Sequence, residues 1–283
     1  MRSMIWHCCL VGLTAVTSTG YAQSAISTID TLKAYKLVWA DEFNNNGAPD
    51  ATNWKFEQGF VRNNELQWYQ SQNAWCSNGL LIIEGRKEHL PNPNYNAQSA
   101  NWKTNRQFKE YTSASLNTSG LHSWKYGRFV MRAKIDTSAG LWPAFWTLGV
   151  SGEWPSNGEI DIMEYYQRKL LANVACGTST RYKAKWYSNS KLISDFTDKK
   201  WVDNFHIWRM DWDEKGISLY VDDSLMNHVD LKDLVNRDAK GTNPFNQPQY
   251  LLLNLALGGD NGGETSTTTF PRRFEIDYVR VYQ

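Results

Sequence analysis

The sequence predicts an all-β protein, an antiparallel β-sandwich, and three observations predict it. Short apolar or alternating runs recur from "YKLVWADEF" onward, separated by turn residues. Within them the apolar residues alternate with period two, as strands require. No long amphipathic helix interrupts the series, which excludes the α/β classes. The strand candidates are, in order, "NGLLIIEGRKE", "YTSASLNT", "YGRFVMRAKID", "LWPAFWTLG", "GEIDIMEYY", "LLANVACGT", "HIWRMDWDE", "GISLYVDDSLM", "QYLLLNLALGG" and "RFEIDYVRVYQ". In "YGRFVMRAKI", Phe129, Met131, Ala133 and Ile135 share one face, and Arg128, Arg132 and Lys134 the other. The one helix-like piece is "LKDLVNRDA" (231–239), one or two turns within a loop. Residues 89–110, polar and rich in Asn, read as a long surface loop of the kind that borders binding sites.

The chain of 283 residues accommodates one large sandwich domain, and no repeat or second domain is visible. The formal net charge is +1, which gives no basis for capture of nucleic acid or an anionic membrane. The N-terminus has Arg2, an apolar stretch over 4–16 and "GYA" before a cut after Ala22. That is the pattern of a secretory signal peptide (1–22), too short for a bilayer span. A linker (23–36) and a single domain (37–283) follow, so the expectation is an exported, periplasmic or extracellular protein without a membrane span. Cys8 and Cys9 fall in the signal; Cys76 and Cys176 either form one disulfide or stay free thiols. No CxxC pair and no HExxH is present, so no catalytic metal or other cofactor is expected.

The chemistry concentrates in "SNGEIDIMEYYQ" (156–167), which puts Glu159, Asp161 and Glu164 into a strand of otherwise buried composition. Side chains at i and i+2 share a face, so Glu159 and Asp161 point one way, and Ile160 and Ile162 point into the core. Glu164 is out of phase by one residue, and a bulge at Ile162–Met163 restores it to the acidic face. Two carboxylates facing one bond are what glycoside hydrolysis requires: one attacks the anomeric carbon, the other protonates the leaving oxygen and then activates water. The competing reading is a solvated acidic edge or a cation site. The neighbouring run "GLWPAFWTLG" tips the balance, because Trp142, Ala144 and Trp146 fall on one face and form a stacking platform for sugar rings. The 14 Trp of the chain fit the same reading.

"GLWPAFWTLG…WPSNGEIDIMEYY" resembles the active-site region of glycoside hydrolase family 16, in its laminarinase-like branch. The resemblance extends collinearly through "WADEFNNNGAPDATNW", "NNELQWYQSQNAWCSNGLLIIEGRKE", "FHIWRMDW", "LLLNLALGG" and "DYVRVYQ", covering residues 37–283. It implies a jelly-roll, concanavalin A-like sandwich with a concave cleft. It also implies Glu159 as nucleophile, Glu164 as general acid/base and Asp161 as their assistant. Trp146 and Trp142 would lie along the sugar, with Asn64, Arg86 and Asn254 as further substrate-binding positions. A structural calcium would take a side-chain oxygen of Asp277 and backbone oxygens of Glu42 and Gly79. Three positions depart from the laminarinase pattern. The strand "LLANVACG" lacks a histidine, Asp260 and Asn261 follow "LALGG" where a tryptophan is common, and Ser115 replaces an arginine. The expectation is a secreted, monomeric, retaining endo-glucanase of β-1,3 or mixed β-1,3/1,4 glucan. The alternatives are the same chemistry on a galactan or host glycan, and a carbohydrate-binding protein without catalysis.

Overall fold

The computed structural model describes residues 35–238 and 240–283. The signal peptide and nearly all of the linker therefore lie outside the described residues. In chain order the strands are β1 (Leu37–Asp41), β2 (Lys55–Phe56), β3 (Gln67–Tyr69), β4 (Ala74–Ser77), β5 (Leu80–Pro91), β6 (Phe108–Ser113), β7 (Ser115–Asn117), β8 (Gly127–Lys134) and β9 (Leu141–Gly149). They continue with β10 (Glu159–Tyr166), β11 (Lys169–Gly177), β12 (Ala184–Leu192), β13 (His206–Trp212), β14 (Gly216–Val221), β15 (Ser224–Asp230), β16 (Gln249–Leu257) and β17 (Arg272–Tyr282).

These strands form two sheets. The ten-stranded sheet runs β15-β14-β13-β8-β17-β5-β6-β3, with β1 also on β17 and β4 on β5. The seven-stranded sheet runs β12-β11-β10-β9-β16-β7-β2. Every strand pair is antiparallel except β3 with β6. The core fills the space between the sheets, as period-two alternation demands. Phe129, Met131 and Ala133 of β8 and Leu141 and Phe145 of β9 are fully buried there, with Ile160 and Met163 of β10 and Leu251, Leu253 and Leu255 of β16. Each of the larger side chains contributes roughly 1.5–3 kcal/mol on burial. Gly85 lets the sheets approach, since a Cβ there would lie 3.2 Å from Leu257 Cδ2.

The structure refines three sequence expectations in detail. Among the described residues of the helix-like stretch, one 3₁₀ turn, Leu231–Asp233, lies within a loop, as the sequence predicts, and Leu231 and Leu234 are buried in the core. The loop expected at 89–110 shrinks to 92–107, since β5 runs on to Pro91 and β6 starts at Phe108. The buried Asn92 fixes that loop by donating to the carbonyls of Lys103 and Arg106. Cys76 and Cys176 are both buried free thiols, in different sheets, and burial pushes the pKa of Cys76 to about 11. Among the described residues no helix is long and apolar enough to cross a membrane.

Candidate active site

The site lies on the face of the seven-stranded sheet that points away from the core, and β10 supplies its acids. The chain enters β10 through Gly158, whose φ of +80° suits glycine; a Cβ there would meet Pro244 and Phe245 at 3.0 Å. Register then shows the bulge directly. Asp161 pairs with Trp146 of β9, and the next pairs are Met163 with Phe145 and Glu164 with Ala144. Ile162 and Met163 both enter the core, so Glu164 returns to the face of Glu159 and Asp161.

The three carboxyls are buried together, and their surroundings separate their proton affinities. Burial pushes Asp161 well above the carboxylate range, and the charges of Glu164 and Glu159 push it further. Burial and the charge of Glu159 raise Glu164 to about 7. Trp142 Nε1 donates to Glu164 Oε1 at 2.8 Å, and Asn173 Nδ2 of β11 donates to Oε2 at 3.0 Å. These two donors hold the Glu164 carboxyl in place. Burial raises Glu159 as well, but the Trp154 indole N–H, the Asp161 carboxyl and the Arg62 charge pull it back. The arrangement thus sets Glu159, whose rise is countered by its neighbours, beside Glu164, a carboxyl poised to exchange its proton near neutral pH. That is the division of labour a double displacement at a glycosidic carbon needs.

The predicted tryptophans reach this site but not as an open platform. Trp142 is 6% and Trp146 7% exposed. Trp142 packs edge-on against Tyr166, with centroids 5.3 Å apart. Trp146 donates Nε1 to Asn254 Oδ1 at 2.7 Å, and Asn254 in turn donates to the Tyr69 hydroxyl at 3.2 Å. Asn254 thus lines the cleft and braces Trp146. Asn64 sits in a turn at φ +48°, exposed, and donates to Asp260 at 3.0 Å; its neighbours Asn63 and Glu65 line the cleft instead. Arg86 is not brought to the site. On β5 it alternates with the core-facing Ile83 and Gly85, so it lies on the outer face of the ten-stranded sheet, paired with Glu84 at 2.7 Å and against Trp75.

The calcium donors do not fit an ion as they stand. The Asp277 carboxylate is engaged by Arg132, and Glu42 is held bidentately by Arg280 at 2.7 and 2.8 Å. The one carboxylate of the implied set is thereby already neutralised. Among the described residues no group of three or more His, Cys, Asp or Glu could hold a metal.

Sequence reasoning missed Arg62, Glu57, Trp154 and Asn173. Arg62, in the segment between β2 and β3, lies 5.1 Å from the Trp146 ring centroid and pairs with Glu57. Ser115 completes the anchor by donating to Glu57 Oε2 at 2.6 Å. Ser115, where an arginine is common, thus holds the carboxylate that pairs with Arg62. The 92–107 loop buttresses the segment: Arg106 packs on Phe60 and Trp102, and donates to the carbonyls of Glu65 at 2.6 Å and Asn64 at 2.9 Å. Asn173, on the strand that lacks a histidine, donates to Glu164. Only the substitution at 115, a visible gap in charge, hinted at any of this.

Residues 91–280 match the family model for glycosyl hydrolases family 16. A beta-glucanase of Rhodothermus marinus is 34% identical over 267 residues, covering 90% of this chain and 87% of that protein. Two further relatives are longer proteins, of which the chain spans 39% and 34%. A solved structure from work on endo-acting O-glycanases, expressed by members of the human gut microbiota to initiate mucin breakdown, matches with a TM-score of 0.80. It is 34% identical, over 89% of this chain and 92% of that one. The laminarinase catalytic domain of Thermotoga maritima matches with a TM-score of 0.72 and 33% identity, over 88% and 98%.

Proposed function

Because the chain belongs to glycosyl hydrolase family 16, and is thereby a glycoside hydrolase, we propose that it is an exported, retaining endo-β-glucanase acting on β-1,3 or mixed β-1,3/1,4 glucan. The observation that carries this reading is the pairing of Glu164, poised at about 7, with Glu159 on the same face of the bulged β10. In the first step Glu159 attacks the anomeric carbon while Glu164 gives its proton to the departing glycosidic oxygen. The glycosyl–enzyme ester then breaks as Glu164 takes a proton from water and that water attacks the same carbon. Asp161, between them, hydrogen-bonds Glu159 and holds it in line. No cofactor enters either step, and one chain carries all of the acting groups.

Glu159→Gln should lower turnover by roughly 10³-fold or more, with the circular dichroism spectrum unchanged. Proton NMR of the first-formed product should show the β anomer; an initial α anomer would overturn the retaining mechanism. A second reading keeps the chemistry but changes the polymer to a host O-glycan. One observation favours it: the higher TM-score with the structure from the work on O-glycanases. Parallel digestion of laminarin, lichenan, barley glucan, agarose and mucin, with product sizing, decides between the two.

A further inference from the structure

The aromatic faces left open to a sugar lie beside the catalytic cleft and not in it. Trp142 and Trp146 are buried, whereas Trp154 is 37% and Tyr182 55% exposed. Both line a cavity of about 830 Å³, within the roughly 300–1,000 Å³ of ligand sites. The cavity lies off one end of the seven-stranded sheet. Its walls come from residues 151–156 after β9, from Thr178, Ser179, Arg181 and Tyr182 after β11, and from Asp238, Lys240 and residues 242–244 before β16. It is joined to the reaction centre through Trp154, whose indole N–H donates to the carboxylate of Glu159.

The cavity walls are tied in place. Arg181 grips Glu153 with two hydrogen bonds of 2.7 Å, and the Tyr182 hydroxyl donates to Glu153 Oε1 at 2.6 Å. This fixes the Tyr182 ring against the 151–156 segment. The charges cancel, since Glu153 and Asp238 face Arg181 and Lys240. A balanced, hydroxyl-rich cavity with two open aromatic faces selects a neutral sugar over a sulfated or carboxylated one. Glu159 opens β10 at the sheet end beside the cavity, while Trp146 and Glu164 lie further along their strands, away from it. A substituent on the sugar held at Glu159 therefore lies next to the cavity mouth.

We propose that this cavity is a subsite for a neutral glycosyl branch on the backbone unit bound at Glu159. The inference rests on the endo-glucanase reading for its backbone, and its test separates the two. Wild-type protein is given a linear β-1,3-gluco-oligosaccharide and the same oligosaccharide carrying one glucosyl branch. Tyr182→Ala and Arg181→Ala, both on exposed positions, should lower kcat/KM on the branched compound about tenfold and leave the linear one within about twofold. Equal loss on both compounds, or loss on neither, overturns the subsite. Saturation-transfer NMR on the Glu159→Gln protein reads the same contact without turnover. Transfer to the branch-sugar protons should vanish when Tyr182→Ala is added, and equal transfer in both proteins overturns the proposal. Wild-type inactivity on the linear oligosaccharide sinks the glucanase reading instead, and the NMR result then decides the subsite.

Discussion

At the level of single residues, the site is governed by which charges are allowed to persist. Arg62 is the cation nearest the nucleophile, held by Glu57 and laid on Trp146. Glu159 is faced by Asp161 and Glu164 on its own strand, by Tyr250 of β16, and by Arg62, Glu57 and Glu65 of the β2–β3 segment. Removing Arg62 leaves that ring of acids without its cation, so the Glu159 pKa rises. Since the nucleophile must be ionised, the acidic limb of the kcat/KM profile should move to higher pH in Arg62→Ala, with about a 10–100-fold loss at neutral pH. An unmoved limb would show that Arg62 is only a packing residue. The acids were legible in the sequence because E-I-D-I-M-E carries its own periodicity. Arg62, Trp154 and Asn173 were not, because each acts through a contact made by separate segments. Burial of Trp142 and Trp146 was illegible for the same reason: alternation assigns a face, but only neighbours such as Tyr166 and Arg62 decide what remains open.

Secondary-structure elements carry the next set of consequences. The bulge adds one residue to β10, and Ile162 and Met163 both sink into the core to absorb it. Deleting Met163 should therefore leave a folded protein. Strict alternation then carries Glu159, Asp161 and the shifted glutamate on one face without a bulge. Some turnover should survive, with stability lower by roughly 2–5 kcal/mol for the lost buried side chain. A protein that fails to fold would show that the bulge is required by the pairing with β9 and β11. The strand order itself was not readable from the run of strands, because period two fixes faces and says nothing about partners. On the opposite sheet, Arg132 and Arg280 occupy the carboxylates beside the implied calcium position. EDTA should therefore leave Tm within about 1 °C; a larger drop that added calcium restores would reinstate the ion.

For the molecule as a whole, the buried acids tie stability to pH. Glu164 is raised to about 7 in the folded protein, above its ordinary 4.5. Below the unfolded value both states are protonated and the fold keeps its full stability. As pH rises through 7 the folded state must accept a buried charge, and up to about 3 kcal/mol is lost. Glu164→Gln, which never ionises, should match wild type in Tm near pH 4 and exceed it by several degrees at pH 8. Thermal melts at the two pH values check this, and a constant offset would sink it. In the active enzyme the same proton limits the alkaline side, since Glu164 must be protonated to act as an acid, and activity should fall as pH climbs past about 7.

The position of β17 bears on how the chain acquires its structure. It lies between β8 and β5 in the ten-stranded sheet and also pairs with β1. A nascent chain emerging N-terminus first holds β1, β5 and β8 long before residues 272–282 arrive to join them. Until then these strands present unpaired edges, which makes the incomplete chain vulnerable to intermolecular pairing. Ribosome-stalled chains lacking β17 should accordingly depend on chaperones, and closure of the sandwich should be a late, cooperative event in synthesis.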